Sequence, residues 1–497
     1  MENRLKEFKT LTDTLYAKNH LLGVMIFDGE TIAPIASADA RSKSMSIINE
    51  EIFKLLTSPS SQELIDYLYE NRSNLDEITQ RELTLIKRSL KLLKNMPMNE
   101  YVEYQALLNK AQVVWSQAKK ANDYEMFKPY LEKIVEYNKK IAAYYAPEKK
   151  PYDALLEMYE YGMSMADYDP FFDEMQKQIV PTLKEISNKP LPEYKFLSMP
   201  FSIEKQKILS DRIMNLMGLD RTCCSLTESE HPFTTGFNKW DLRITTHYYE
   251  NMFESSLYSV IHEGGHAMYE MGIDDKYQFT NIASGASLGM HESQSRFYEN
   301  IIGRSKAFMS LLHPIMCDIF PKQMKGVSEE TLYKALNLVH PSLIRIEADE
   351  LSYSLHILIR YEIEKMLISG ELSVDEAPKY WNKLYKDYLG VDVPDYRSGI
   401  LQDIHWAGGS IGYFPTYALG SAYGAQMLAE MNESFDINKD ITENKIQNIH
   451  KWLNKNIHVH GSMYDPKKII SMACKEEFNP QYYFDYLNNK FKDIYEI

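Results

Sequence analysis

Apolar residues recur at helical spacing along most of this chain. Over about 80–95, 100–121 and 126–145, Leu, Ile, Val, Tyr and Trp alternate with Lys and Glu at i, i+3 and i+4. That pattern predicts amphipathic helices with solvated charged faces. Residues 1–55 carry a mixed pattern broken near Gly29 to Pro34, and Thr57-Ser58-Pro59-Ser60-Ser61 reads as a turn followed by a helix start. Pro147 to Pro151 is a short linker, but the periodicity resumes unchanged after it, so it does not separate independent domains. Asp169-Pro170-Phe171 reads as the opening of the next helix, with Asp as cap and Pro in the first turn. A long helix is expected from Ile344 to about Ile368, and helical spacing returns over 441–497.

One stretch breaks the pattern. Residues 240–249 alternate and are rich in β-branched and aromatic side chains, which predicts a strand that either binds an extended peptide through its backbone or belongs to an ordinary short hairpin. His231-Pro232-Phe233 just before it is expected to be extended, because proline disfavours helix in the preceding residue. The expectation is therefore an all-α class chain, mainly helical with a small β-sheet near the site. All of 1–497 is read as one unit, with no internal repeat and no low-complexity tract.

Composition narrows the class. The 497 residues are 44% hydrophobic and 25% charged, as in an ordinary globular protein. The net charge of −15 disfavours a nucleic-acid partner, since phosphate binding needs a basic surface. The first twenty residues lack the apolar core of a secretory signal, and no apolar run approaches the ~18 residues of a membrane span. Cys223, Cys224, Cys317 and Cys474 form no C-x-x-C and read as reduced, buried residues of a cytoplasmic protein.

The chemistry is concentrated in Leu257 to Met271, which contains His262-Glu263-Gly264-Gly265-His266. On a helix the two histidines lie on one face, one turn apart, where a single Zn²⁺ can take both. Glu263 stands beside that position, suited to hold and deprotonate a water. Gly264 and Gly265 each cost about 1 kcal/mol against Ala inside a helix, which points to another backbone, an edge strand or a bound peptide, passing close by. A third ligand must come from elsewhere. The extension H-E-x-x-H-x-x-G-x-x-H fails, because Tyr269 and Gly272 occupy its last two positions. A glutamate on a following helix remains. Ser287 to Ile302 reads as that helix, and the glycines and aspartates before it permit a chain reversal that brings Glu292 to the ion. Glu299, two turns on, is a candidate partner for a histidine.

Further along, Arg345 reads either as an ordinary surface charge or as a bidentate partner for a carboxylate. Gly399 to Ser410 packs Gln402, Asp403, His405 and Trp406 between glycines, which suggests a site wall. Tyr413 and Tyr417 follow at the start of another helix, where a phenol could stabilise an oxyanion.

Together these stretches resemble the M32 metallocarboxypeptidases, the group of the thermostable carboxypeptidase Taq. The shared motifs are His231-Pro232-Phe233, Asp241-Leu242-Arg243-Ile244-Thr245, the His262 to His266 pentamer, His291-Glu292-Ser293-Gln294, Ile344 to Asp349 and Gly399 to Trp406, in that order. The resemblance implies a helical, gluzincin-like fold with a deep groove, residues 1–150 forming one wall, and a homodimer. It implies one Zn²⁺ per chain, or Co²⁺, on His262, His266 and Glu292, with Glu263 as general base. Arg345 and His405 would hold the terminal carboxylate of a peptide, with Arg243, Gln402 and Asp403 as further substrate-binding positions. Tyr413 or His231 would stabilise the oxyanion. The implied activity is release of single residues from a free C-terminus, with broad specificity and proline disfavoured. Two other classes remain: a zinc endopeptidase or oligopeptidase of the same helical type, and a non-catalytic helical binding protein that keeps metal for stability. The G-x-M-E-N signature that captures a free amine in one aminopeptidase class is absent.

Overall fold

A computed structural model describes all residues 1–497. The predicted helices form where the caps allow. Asp76 accepts a hydrogen bond from the Thr79 amide and opens Glu77–Asn95, and Asp123 accepts from Met126 and opens Tyr124–Tyr145. The first helix, Glu2–Thr31, ends at the expected break, and Ala38–Thr57 follows.

Two helix starts differ from expectation. The helix expected to open at Asp169 begins at Met165, because Ser164 and Asp167 form a capping box. Pro170 sits inside it, and Asp169 accepts hydrogen bonds from Tyr361 Oη and Lys365 Nζ, both 2.6 Å. The helix expected from Ile344 begins at Glu350. Asp349 caps it through the Ser352 amide, while Arg345–Glu347 form a single 3₁₀ turn. Gln402 explains that turn: its side chain takes the Arg345 amide at 2.9 Å and donates to the Leu343 carbonyl at 3.0 Å.

Three strands make the only sheet, β1 (Cys224–Glu228), β2 (Thr234–Asn238) and β3 (Asp241–Thr246), in the order β1-β3-β2. β3 is the predicted strand, but it lies in the middle, parallel to β1 and antiparallel to β2. Both its edges are therefore filled, so it cannot bind a peptide, and the hairpin reading holds, with β2 as its partner. The outer edges belong to β1 and β2, and β2 runs beside the Phe253–Met271 helix.

Buried apolar side chains form one cluster of 107 residues running from Met96 to Ile494, and a second of 10 residues between Phe8 and Leu90. The Phe253–Met271 helix, carrying the H-E-x-x-H residues, crosses Leu288–Arg296 in the large cluster. The glycines permit this. A Cβ on Gly265 would lie 2.7 Å from the Gln294 carbonyl oxygen, and one on Gly420 would lie 2.9 Å from Glu292 Cβ. The backbone that passes close is thus a neighbouring helix rather than a strand or a bound peptide, and Gly264 packs on Met217 and Leu219. Gly265→Ala is expected to destabilise the protein by about 1–3 kcal/mol in denaturant titration, although Ala gains about 1 kcal/mol in helix propensity.

Candidate metal centre

His262 and His266 present their rings on one face, 5.0 Å apart between centroids and nearly perpendicular. Each Nε2 lies 3.7 Å from Glu292 Oε2. These three donor atoms all lie within 4.8 Å of one another. Ligand atoms about 2.1 Å from a tetrahedral ion stand about 3.4 Å apart, so this triad fits one divalent cation.

The opposite atoms of both rings are fixed. His262 Nδ1 is 2.8 Å from Glu299 Oε2, the position expected for that glutamate. Burial pushes the Glu299 carboxyl up, but Arg296 and the His262 hydrogen bond outweigh it and hold the group well below the usual carboxylate range. His266 Nδ1 is 2.7 Å from His291 Nδ1, and His291 Nε2 is 2.8 Å from Glu270 Oε1. With the His291 Nε2–H donating to Glu270, its Nδ1 accepts from His266. The lone pair of His266 Nε2 then faces the ion position. Burial disfavours charge on His262, yet Glu292 and Glu299 raise it to about 9, whereas burial and the neighbouring His291 hold His266 well below its ordinary value. This much carboxylate around two imidazoles favours a cation.

Other contacts aim Glu292. Its Oε1 accepts from Arg296 Nε at 2.8 Å, leaving Oε2 toward the imidazoles. Its helix starts on a buried carboxylate: Ser287 Oγ and the Gly289 amide donate to Glu160 at 2.7 and 2.9 Å. A π-helical turn, Phe297–Ile302, follows and carries Glu299. Glu263 is 7% exposed, and burial raises its carboxyl. Thr234 Oγ1 on β2 donates to its Oε2 at 2.6 Å, and its Oε1 has no protein donor.

A second group of residues surrounds Arg345. Asp403 Oδ1 accepts from Arg345 Nε and Nη2 at 3.1 and 3.0 Å, while Asp403 Oδ2 accepts from Arg360 Nε at 2.7 Å. Arg345 Nη1 donates to Tyr353 Oη at 3.1 Å. Three of the five guanidinium N–H groups are thus used, and Nη1 and Nη2 each keep one. Two arginines face one aspartate, so one positive charge is left over in a nearly buried place. Asp403 and Gln402 thus hold this scaffold together. His405 packs against Phe414 with ring centroids 4.4 Å apart and the planes tilted by 34°, and its Nε2 is 3.3 Å from Tyr417 Oη. Burial and then Arg345 lower it to about 4, so it is neutral at pH 7.

Of the remaining sequence candidates, Tyr413 lies near the metal donors, whereas His231 and Arg243 face elsewhere. Tyr413 is packed at 5.3 Å from Tyr417, and burial raises its phenol, with Glu292 adding to the rise. His231 is exposed, and its recorded hydrogen bond is at its carbonyl, from Ser229 Oγ. Arg243 forms a bidentate pair with Asp241 at 2.9 Å and lies over Phe27 and Phe237. Its contacts join the first helix to the sheet, not the metal residues. Arg296, Arg360, Tyr353, Thr234 and the His291–Glu270 pair were not expected. Arg296 and Glu270 lie four residues after Glu292 and His266, a spacing that could have marked them.

The loop bearing His405 is held by another buried carboxylate. Glu364 accepts from Trp406 Nε1 at 2.7 Å and from Tyr152 Oη and the Gly412 amide, both at 2.9 Å. Burial pushes it up to about 7 from the ordinary 4.5. The folded state therefore holds this proton longer than the unfolded chain, and Glu364 favours folding at low pH. That contribution is lost as the pH rises from about 4.5 through about 7. Glu364→Gln is accordingly expected to destabilise more at pH 5 than at pH 8, by a difference of about 2.5 kcal/mol in denaturant titrations.

A mainly helical chain with an H-E-x-x-H helix, a carboxylate donor from the next helix and a free glutamate beside them defines a helical metallopeptidase. Comparison with known proteins narrows this. The family described as Carboxypeptidase Taq (M32) metallopeptidase matches residues 7–491. Carboxypeptidase 1 of Bacillus subtilis (strain 168) is 41% identical over 494 residues, covering 99% of this chain and 98% of that one. Among solved structures, the M32 carboxypeptidase of Deinococcus radiodurans R1 superposes with a TM-score of 0.96 at 30% identity, over 100% of both chains. The Pyrococcus furiosus carboxypeptidase gives 0.94 at 34% identity, over 98% of this chain and 99% of that one. The chain belongs to the M32 metallocarboxypeptidases and is a metal-dependent hydrolase acting at the free C-terminus of peptides.

Proposed function

We propose that His262, His266 and Glu292 hold one zinc ion per chain, with cobalt as a substitute, and that Glu263 is the general base. The ion supplies Lewis acidity, lowering the pKa of a water toward about 7 and polarising the scissile carbonyl. Glu263 takes the proton of the attacking water on its free Oε1 and returns it to the leaving amine. Tyr413 donates to the oxygen that gains charge, a role for which exposed His231 is less well situated. The free N–H groups of Arg345 and the neutral ring of His405 bind the terminal carboxylate, so one residue leaves per cut. The substrate chain lies along the open edge of β2, whose Thr234 already touches Glu263. Specificity is broad, with proline at the last bond disfavoured because it lacks an N–H and stiffens the chain.

One observation carries this reading over an endopeptidase: the nearly buried Arg345, with two N–H groups to spare and a charge not fully neutralised. An endopeptidase has no use for such an anchor. The test is a time course on a free-ended peptide and on its C-terminal amide, read by mass, with and without chelator. Stepwise loss of single residues from the acid alone, abolished by chelator, is expected. Internal cleavage of both peptides would establish the endopeptidase instead.

We read residues 1–497 as one catalytic unit with 1–150 as one groove wall. Trp115 Nε1 and Lys119 Nζ from that part donate to the Leu401 and Gln402 carbonyls at 3.0 and 2.8 Å. No helix is long and apolar enough to cross a membrane. All four cysteines are free, which supports action in the reducing cytoplasm. Following the family resemblance, the working form is a homodimer, which sedimentation measures.

A further inference from the structure

Two guanidiniums, one buried and one half-buried, flank one phenol. Arg296 lies over the Tyr353 ring, 4.1 Å from its centroid, and donates to Glu292 Oε1 at 2.8 Å. Arg345 donates to the Tyr353 hydroxyl at 3.1 Å. Tyr353 is 6% exposed in the first turn of Glu350–Ser369, and Tyr417 packs edge-on against it at 6.4 Å. A buried tyrosine has only two side-chain torsions and bends little. Its ring is therefore a spacer. One part is fastened to the arginine that aims a metal donor, and its hydroxyl to the arginine with free N–H groups. Asp403 holds the Nε and Nη2 side of Arg345, so only Tyr353 holds Nη1.

We propose that Tyr353 is a positioning residue that sets the distance between the metal donors and the terminal-carboxylate anchor, and so restricts cleavage to the last bond of free-ended peptides. This rests on the reading of Arg345 as that anchor. A carboxypeptidase must hold the carboxylate one residue from the carbonyl under attack, and a guanidinium that is free to turn binds that carboxylate more weakly than one already fixed in place. The hydroxyl does this by fixing the guanidinium plane, while the ring keeps Arg296 against Glu292.

Tyr353→Phe separates the two functions, because it deletes the hydroxyl and keeps the ring. KM for a free-ended peptide is expected to rise about tenfold, the usual effect of losing a hydrogen bond to a charged group. Over the same series kcat should change by about threefold at most, and metal content should not change. The preference for acid over amide, as the ratio of kcat/KM values, should fall with KM. Tyr353→Leu, which removes the ring as well, should also weaken metal retention. Arg345→Ala is measured alongside. If it leaves the acid-over-amide preference intact, Arg345 is not the anchor and the inference falls with it. If Arg345→Ala abolishes the preference while Tyr353→Phe keeps the wild-type KM, or loses only kcat, the anchor stands and the positioning role is overturned.

Discussion

Replacing Glu263 with glutamine is expected to leave the protein folded and able to bind metal while turnover falls by about 10⁴-fold. Glutamine has the size of glutamate and can still accept the Thr234 hydroxyl, so the contact that orients the side chain survives. What is lost is the lone carboxylate oxygen able to take a proton. Glu263 is suited to that task because burial raises its carboxyl, bringing it nearer the working pH than an exposed glutamate. The measurements are kcat/KM on a free-ended peptide, metal content by atomic absorption, and circular dichroism. Retention of more than a few per cent of wild-type turnover would show that another group is the base.

Replacing Glu292 with alanine is expected to remove metal and activity together. Two imidazoles bind a divalent ion far more weakly than two imidazoles and a carboxylate, because the ion's charge is then uncompensated in a buried place. The same change deprives the half-buried Arg296 of its 2.8 Å partner, leaving it only the more distant Glu299 at 3.5 Å, which also destabilises the fold. Glu292→Gln separates the effects, since it keeps the volume that packs against Gly420 and loses only charge. Chelation should bring wild-type activity to the level of either variant. Added Zn²⁺ should restore the wild type fully and Glu292→Ala not at all. Full metal occupancy in Glu292→Ala would place the third donor elsewhere.

How much of this was legible in the chain depended on range. The H-E-x-x-H helix needed only the helical period, and the next helix followed from its own apolar spacing. The glycine pair signalled a close backbone, but not which one. Helix starts at Met165 and Glu350 were missed because local cap chemistry at Ser164 and Asp349 competed with an attractive Asp-Pro and with a motif that looked continuous. Arg243 looked like a substrate contact, although Asp241 two residues away shares its strand face and claims the guanidinium. Asp403 and Gln402 were read as wall residues facing substrate. Their partners Arg345, Arg360 and Leu343 lie more than forty positions away, and no spacing rule reaches that far.

By itself the sequence determined the helical class, the metal-binding face and the identity of the general-base candidate, because each depends on residues within one or two turns of one another. The tertiary structure decided which strand lies in the middle of the sheet, which charges cancel and which arginine keeps N–H groups to spare. Those outcomes follow from burial: a carboxylate or guanidinium removed from water must find partners, and the folded chain alone brings distant ones within reach.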